Sequence, residues 1–306
     1  MRKHPVRGCT AGDNQPPGGD HGRVVLGVSE RFADTSGNGR GRSVTRLTGE
    51  RPLEGLTPDS LLSLHAAGYR EVRTRISGGR LIDLGCGEGL ETVAFADKCE
   101  FVLGVDYAYS PLLTARDSLS SHKVLFAQMD AVSLALASHS FDWACSSHLI
   151  EHFRAPELHV SEIARVLRSN GSAFFLTPNR PADFENPFHV TLFDRDDLLA
   201  LLERYFREVW VGGLDGSEQV KADFARRRAR ARKILALDPL KLRTKLPRSW
   251  YVGAYTKMLP LAYRLVAQKD RGGATGITED DFKVVDQVDD TTLVLFAIAT
   301  GPKAGR

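Results

Sequence analysis

The chain has 306 residues, 42% apolar and 26% charged, the balance of a soluble globular protein with room for one large domain and an insertion. No run approaches the roughly 18 uninterrupted apolar residues of a spanning helix, and the basic N-terminus lacks the apolar core of a secretory signal. Four scattered cysteines (Cys9, Cys86, Cys99, Cys145) without a CxxC pair argue against a zinc knuckle or a disulfide framework and lead to the expectation of a reduced, cytoplasmic protein. The net charge of +3 is unevenly spread: residues 221–249 carry eleven Lys/Arg against two Asp/Glu, residues 1–55 carry nine against six, and the rest is acidic.

In chain order, residues 1–55 are rich in Gly, Arg, Pro, Ser and Thr and poor in large apolar side chains. Such a segment buries too little surface to offset its chain entropy, so disorder is expected there. A short helix is predicted from Pro58 to Arg75. From Gly79 strands and helices alternate. Strands are predicted at Arg80–Leu84, Phe101–Asp106, Val124–Gln128, Phe141–Ser146 and Ser172–Thr177, and again at Arg207–Val211 and Thr292–Ala299. Helices are predicted at about 90–98, from Pro111, at 156–168 with Asn170-Gly171 as its stop, and from an Asp194 cap to about Tyr205. The expected fold is α/β, a doubly wound, mostly parallel seven-stranded sheet. The core spans 56–213, a basic helical insertion or lid spans 214–288, and 289–306 holds the last strand and tail. In such a sheet a ligand sits outside the C-terminal strand edge.

The sharpest motif is Leu81-Ile-Asp83-Leu-Gly85-Cys86-Gly87-Glu-Gly89. A strand enters a Gly-x-Gly-x-Gly turn that a helix should follow. Dinucleotide folds use Gly-x-Gly-x-x-Gly to seat a pyrophosphate on a helix N-terminus. Here the third glycine comes one position early, and Asp83 and Glu88 add carboxylates that would repel a pyrophosphate. A cofactor with a cationic amino group and a sulfonium fits better, which favours S-adenosylmethionine (SAM) over a nicotinamide dinucleotide. Asp106 ends the second strand 19 residues after Gly87, where a carboxylate can accept from both hydroxyls of a ribose. Asp130 ends the third strand and can accept from an adenine amine, with Met129 and Ala131 against the ring. Each of these also has a plain reading, as a helix cap or a loop acid.

Taken together, Leu81–Gly89, Leu103-Gly-Val-Asp106, Asp130, Ser140-Phe-Asp142, Ile150-Glu-His152 and Val166-Leu-Arg-Ser-Asn-Gly171 resemble a class I SAM-dependent methyltransferase of the ubiquinone-biosynthesis (methyltransferase type 11) group. The resemblance implies that Asp83, Gly85, Cys86 and Gly87 bind the methionine moiety, Asp106 the ribose, and Met129, Asp130 and Ala131 the adenine. It also implies that Tyr107 stacks near the adenine and that Ser147 and His148 line the methyl-donor end.

Methyl transfer from a sulfonium is an in-line displacement, helped mostly by alignment and exclusion of water. A hydroxyl acceptor also needs a base. His152, just past the fourth strand, and His189, in Asn186-Pro187-Phe188-His189, are the candidates, although either can instead be a packed structural histidine. If residues 148–152 are helical, His148 and His152 share a face. The relatives implied by the resemblance carry Glu-x-x-Glu-His, associated with a divalent ion. This chain has His148 at the first position, and no metal is assigned from sequence. The fourth strand ends in Ser146-Ser-His-Leu149 rather than an amide-gripping Asn/Asp-Pro-Pro-Tyr/Phe. An oxygen acceptor on a small metabolite, glycan or lipid-linked precursor is therefore expected over an adenine or glutamine amine.

Arg226–Lys233 holds six Arg/Lys in eight residues and precedes an aromatic, apolar stretch. Residues 226–267 are thus a candidate for peripheral membrane contact or for docking an anionic acceptor. The sequence leaves two rival readings: an RNA methyltransferase using the basic run, disfavoured because no RNA module accompanies it, and a non-catalytic SAM-fold interaction protein.

Overall fold

The computed structural model describes residues 57–118, 121–183, 186, 188–235 and 276–304. The segments expected to be disordered (1–55) and aromatic-apolar (up to 267) lie outside the described residues. The chain divides into two units, Met1–Arg42 and Ser43–Arg306, and everything below belongs to the second.

That unit is an eight-stranded sheet with helices on both faces. Its strands are β1 (Arg80–Leu84), β2 (Phe101–Asp106), β3 (Val124–Gln128), β4 (Phe141–Ser147), β5 (Leu167–Pro178), β6 (Phe206–Gly216), β7 (Phe282–Val285) and β8 (Val294–Pro302). Their order is β3-β2-β1-β4-β5-β8-β6-β7. The pairs from β3 to β5 are parallel, and β8 runs antiparallel between β5 and β6. Seven of these strands match the expected sheet. The eighth, β7, adds antiparallel to the edge of β6 and comes from within the segment read as an insertion.

The helices are α1 (Asp59–Arg73), α2 (Tyr109–Ser118), α3 (Pro156–Val166), α4 (Arg195–Glu203) and α5 (Glu218–Leu235). Asp194 caps α4 as expected, accepting from the Asp197 N–H at 2.9 Å. Two elements differ from the sequence reading. The helix expected at 90–98 is a 3-10 turn, Thr92–Asp97. The helix expected to reach residue 168 and stop at Asn170-Gly171 ends at Val166, and β5 begins at once. Leu167 already pairs with Phe141, and the register then jumps to Ser172 opposite Trp143. Asn170-Gly171 therefore marks a bulge within a strand rather than a helix stop.

Strand alternation divides the core in two. Ile82, Leu84, Leu103, Val105, Phe175 and Leu295 pack with α3 and α4 on one face. Leu81, Val102, Cys145, Phe174, Leu176 and Phe296 pack with α1 and α5 on the other. Both faces are covered, which explains why these strands read as continuous apolar runs. The parallel register brings the ends of β1 to β5 to one edge, with Leu84 level with Val105 and Ser146, and Asp106 level with Gln128. Among the described residues, no helix is long and apolar enough to cross a membrane.

Candidate active site

The glycine loop leaves β1 at that edge. Gly85, Gly87 and Gly89 all have positive φ (77°, 56° and 70°), so the motif's spacing answers a backbone requirement. Gly89 has a second reason to lack a side chain: a Cβ there would lie 2.5 Å from the Phe126 ring. Asp106 is 5% exposed at the end of β2. Its carboxylate accepts from the Gly87 N–H (3.0 Å) and the Ala108 N–H (2.8 Å), tying the loop to the neighbouring strand end. Tyr107 beside it is 74% exposed, and its carbonyl accepts from Gln128 Nε2. At the end of β3, Met129 is half-buried, Asp130 is exposed and Ala131 is buried. The Asp130 carboxylate accepts from the Val132 N–H at 3.1 Å. Cys86 is buried in the loop.

Asp83 lies elsewhere than the loop's outer surface. It alternates with Ile82 and Leu84 and so faces α1, fully buried. There it accepts from Thr92 Oγ1 (2.6 Å) and from the Tyr69 hydroxyl (3.2 Å). Burial pushes its carboxyl up to about 7, against the opposing pull of these hydrogen bonds.

The end of β4 opens a polar, buried cluster. Ser147 is followed by His148 in a left-handed conformation (φ 52°), a strained state for a histidine. Residues Ile150–His152 then form a 3-10 turn, so His148 and His152 do not share a helix face. The His148 ring stacks on His65 of α1, with centroids 4.3 Å apart, and the His152 ring meets His189 edge-on at 5.2 Å. Burial holds His65 well below the ordinary histidine range, and the neighbouring His148 adds to the effect.

Glu151 sits between the two pairs and is fully buried. One carboxylate oxygen, Oε2, accepts from Thr177 Oγ1 at 3.1 Å. The other, Oε1, lies 3.6 Å from His148 Nδ1 and has no hydrogen-bond partner. Burial alone would raise this carboxyl, but His148, His152 and His189 around it outweigh burial and hold it down at about 2. The Glu151 carbonyl accepts from the N–H groups of Val190 and Thr191, which fastens the 188–191 loop against the 3-10 turn and so brings His189 to His152.

The hydrogen bonds fix both tautomers. His152 Nδ1 faces the Phe188 carbonyl at 3.1 Å and must carry the proton. Asn186 Oδ1 accepts from the Phe188 N–H, so its amide nitrogen points at His189 Nε2, 3.0 Å away. Nε2 is then the acceptor, and Nδ1–H donates to Asp183 Oδ1 at 2.7 Å. One donor atom each from Glu151, His152 and His189 lies within 4.8 Å of the others, a grouping that could hold a metal ion. The structure thus brings together His152 and His189, 37 residues apart in sequence. Sequence reasoning missed Asp183, Asn186 and His65, which orient or pack these histidines. No motif spacing marks them, because they come from a loop and from α1.

A cleft of about 380 Å³ opens beside the glycine loop, lined by Leu62, Ala66, Leu90, Glu91 and Ile277 among others. It borders the loop rather than the histidines.

Residues 82–175 match the family model described as a methyltransferase domain. Over 168 residues the chain is 31% identical to a protein of Mycolicibacterium smegmatis named as a probable S-adenosylmethionine-dependent methyltransferase, covering 53% of this chain and 65% of that one. It is 32% identical over 108 residues to a ubiquinone biosynthesis O-methyltransferase of Stutzerimonas stutzeri, covering 34% and 47%. The chain therefore spans less than two thirds of the length of these relatives. A Thermotoga maritima structure titled a SAM-dependent methyltransferase, possible histamine N-methyltransferase, superposes with a TM-score of 0.51 at 15% identity, over 79% of this chain and 91% of that one, and shares the fold. The strand order, the glycine loop and these matches agree: residues 82–175 match a methyltransferase domain, and the chain is similar to S-adenosylmethionine-dependent methyltransferases and, over a shorter stretch, to ubiquinone biosynthesis O-methyltransferases.

Proposed function

We propose that this protein is a SAM-dependent methyltransferase that transfers a methyl group to an oxygen of a small metabolite, glycan or lipid-linked precursor. The observation that carries this reading is the convergence of loop, acids and histidines on one sheet edge. Gly85–Gly89, Asp106 and Met129–Ala131 line successive strand ends in the order in which a methionine, a ribose and an adenine would lie. Asp106 holds the loop through Gly87 at the end of β2 and, as a carboxylate, is the acceptor type that a ribose diol calls for. Asp83 serves the loop from behind, through Tyr69 and Thr92, rather than as a direct ligand.

Ser147 and His148 border the donor methyl in this reading, and His152 and His189 handle the acceptor proton. A buried carboxylate among histidines suits a hydroxyl that must lose a proton as the methyl arrives. Arg228 of α5 donates to the Ala182 carbonyl, next to Asp183, which brings the start of the basic run to the loop bearing His189. That proximity favours an acceptor carrying negative charge. Peripheral contact with a membrane through 226–267 would suit a lipid-linked acceptor.

Calorimetric titration with SAM tests the cofactor reading. Asp106→Ala should weaken binding at least about tenfold, roughly 1.4 kcal/mol. Unchanged affinity would remove Asp106 from the ribose site. A labelled-SAM screen over hydroxyl-bearing anionic acceptors, including lipid-linked sugars and quinone precursors, tests the acceptor. Transfer only to amines would overturn the oxygen assignment.

A further inference from the structure

We propose that Tyr69, Asp83 and Thr92 form a proton-linked clasp behind the glycine loop. The clasp is closed when Asp83 is ionised, so SAM binding releases a proton, and the docking of α1 tunes the loop for SAM. The inference rests on the SAM reading above and deepens it. The Asp83 backbone is held between Gly104 of β2 and Cys145 of β4, in the middle of the sheet. Its carboxylate therefore cannot swing out to water, and the residue is 0% exposed. Thr92, which opens the 3-10 turn after the loop, donates to it at 2.6 Å from nine residues further along. One carboxylate thereby ties the strand before Gly85 to the turn after Glu91 and closes the loop on itself. Tyr69 donates from α1, with its hydroxyl 3.2 and 3.3 Å from the two oxygens. The Cys145 thiol donates as well.

The groups acting on Asp83 are these three neutral donors and Glu91, whose charge opposes ionisation. A buried carboxylate compensated only by neutral donors is poised between its two forms. Burial raises it to about 7, against the pull of the Thr92, Tyr69 and Cys145 hydrogen bonds. Burial and the adjacent Asp83 push up both the Tyr69 hydroxyl and the Cys145 thiol, with Cys145, Cys86 and Glu91 adding to the effect on Tyr69. Both groups therefore stay protonated and remain donors. With Asp83 ionised, all three donors meet an acceptor, and the Thr92 bond has the length of a charge-assisted one. Protonation turns one of the two oxygens into a donor that faces donors, which opens the clasp on that side. SAM carries positive charge on its sulfonium and its amino group, and a cation at the loop favours the ionised carboxylate behind it. Loop closure and cofactor charge select the same form of Asp83. Below its value near 7, Asp83 must give up a proton as SAM binds, so affinity falls as pH falls. Well above that value the proton is already gone, and this group adds no pH dependence.

The test is calorimetric titration of the full chain with SAM between about pH 6 and pH 8.5, in two buffers of different ionisation heat, which yields affinity and protons released together. The wild type should bind about fivefold to tenfold more weakly at pH 6 than at pH 8, and should release a large part of one proton near pH 6.5. The histidines of the site and the amino group of SAM exchange protons in the same range, so the quantity that counts is the difference between wild type and variant. Asp83→Asn should lose that share of the released proton and bind SAM weakly with a flatter pH profile. Tyr69→Phe keeps the ring in the core and removes one donor to the ionised form. Its affinity at pH 8.5 should stay within about twofold of wild type, while the fall in affinity moves to higher pH by about half a unit or more. That shift is one that a purely structural tyrosine would not produce, and it carries the test if Asp83→Asn does not fold. A pH profile and proton release in Tyr69→Phe identical to those of the wild type, or an undiminished proton release in a folded Asp83→Asn, would overturn the clasp and leave SAM binding in place. A wild type that binds no SAM at any pH would strike the cofactor reading itself, and the clasp with it.

Discussion

At the scale of single residues, the site is held by buried polar groups that no motif announces. His159 of α3 is fully buried, with Nδ1 on the Ala131 carbonyl (3.0 Å) and Nε2 on Ser146 Oγ (2.9 Å). It thereby ties the end of β3 to the end of β4, two strand ends of the candidate site. Burial holds it down at about 4, against the smaller opposing effects of Ala131, Glu151 and Asp130. Between that value and the ordinary value near 6.5, the unfolded chain binds a proton that the folded chain refuses, so this histidine's contribution to stability falls as pH falls. Asp83, raised to about 7, tilts the opposite way over much of the same range. The clean measurement is therefore the difference between the wild type and His159→Gln in urea unfolding. The variant should be less stable by about 1–3 kcal/mol at pH 7. The gap should narrow by about 1.4 kcal/mol per pH unit from pH 6 to 4.5. A gap independent of pH would mean that His159 is not held neutral.

Legibility follows from the same chemistry. Gly85, Gly87 and Gly89 were readable because backbone geometry demands glycine there, and Asp106 because strand length and loop length fix its spacing. The burial of Asp83 was also latent in the sequence: in a strand covered on both faces it must share a face with Leu81. His65, Asp183 and Asn186 were not readable, because their roles depend on which loop and which helix fold back over the edge of β4 and β5.

At the scale of elements, α1 is more than a leading helix. Tyr69 reaches Asp83 under the glycine loop, and His65 reaches His148 at the end of β4. One helix face thus braces both halves of the candidate site, although it lies outside the matched 82–175. Close approach to β5 requires Gly68: a Cβ there would lie 2.4 Å from Leu176 Cδ2, a side chain only 1% exposed. Gly68→Val should therefore lower stability by about 2 kcal/mol through overpacking. Gly68→Ala should lower it less, because alanine returns up to about 1 kcal/mol of helix propensity. The measurement is the shift in urea midpoint at constant m value. A valine variant as stable as the wild type would show that α1 does not pack on the sheet as described. The elements misread from sequence share one cause, namely that local signals were overruled by pairing. Asn170-Gly171 carries the composition of a helix stop, yet β4 recruits the chain from Leu167 onward and converts those residues into a bulge.

At the scale of the whole molecule, residues 214–288 are not simply an appendage. β6 continues through Gly216, α5 buries Val220 and Phe224 against the sheet, and the segment's far end returns Ile277 and Phe282 to the same core. Polar ties reinforce this. Ser60 donates to Asp223 at 2.8 Å, Arg70 donates to the Phe282 carbonyl at 2.9 Å, and Asp223 also accepts from Arg227 at 2.8 Å. The sequence shows a basic run and an aromatic stretch, which suggests a removable lid. It does not show that both ends of the segment belong to the sheet, because β7 is only four residues long and nine of the 18 residues of α5 are charged. Deleting 217–285 should thus do more than abolish acceptor selection. Four large apolar side chains at about 2 kcal/mol each approach the whole stability of an ordinary domain, about 5–15 kcal/mol. The edge of β6 would also lose its partner strand. The expected outcome is loss of cooperative unfolding by circular dichroism, with SAM binding lost as a consequence. A deletion variant that unfolds cooperatively at the wild-type midpoint and binds SAM would show that the sheet closes at β6 and that the segment is dispensable to the core.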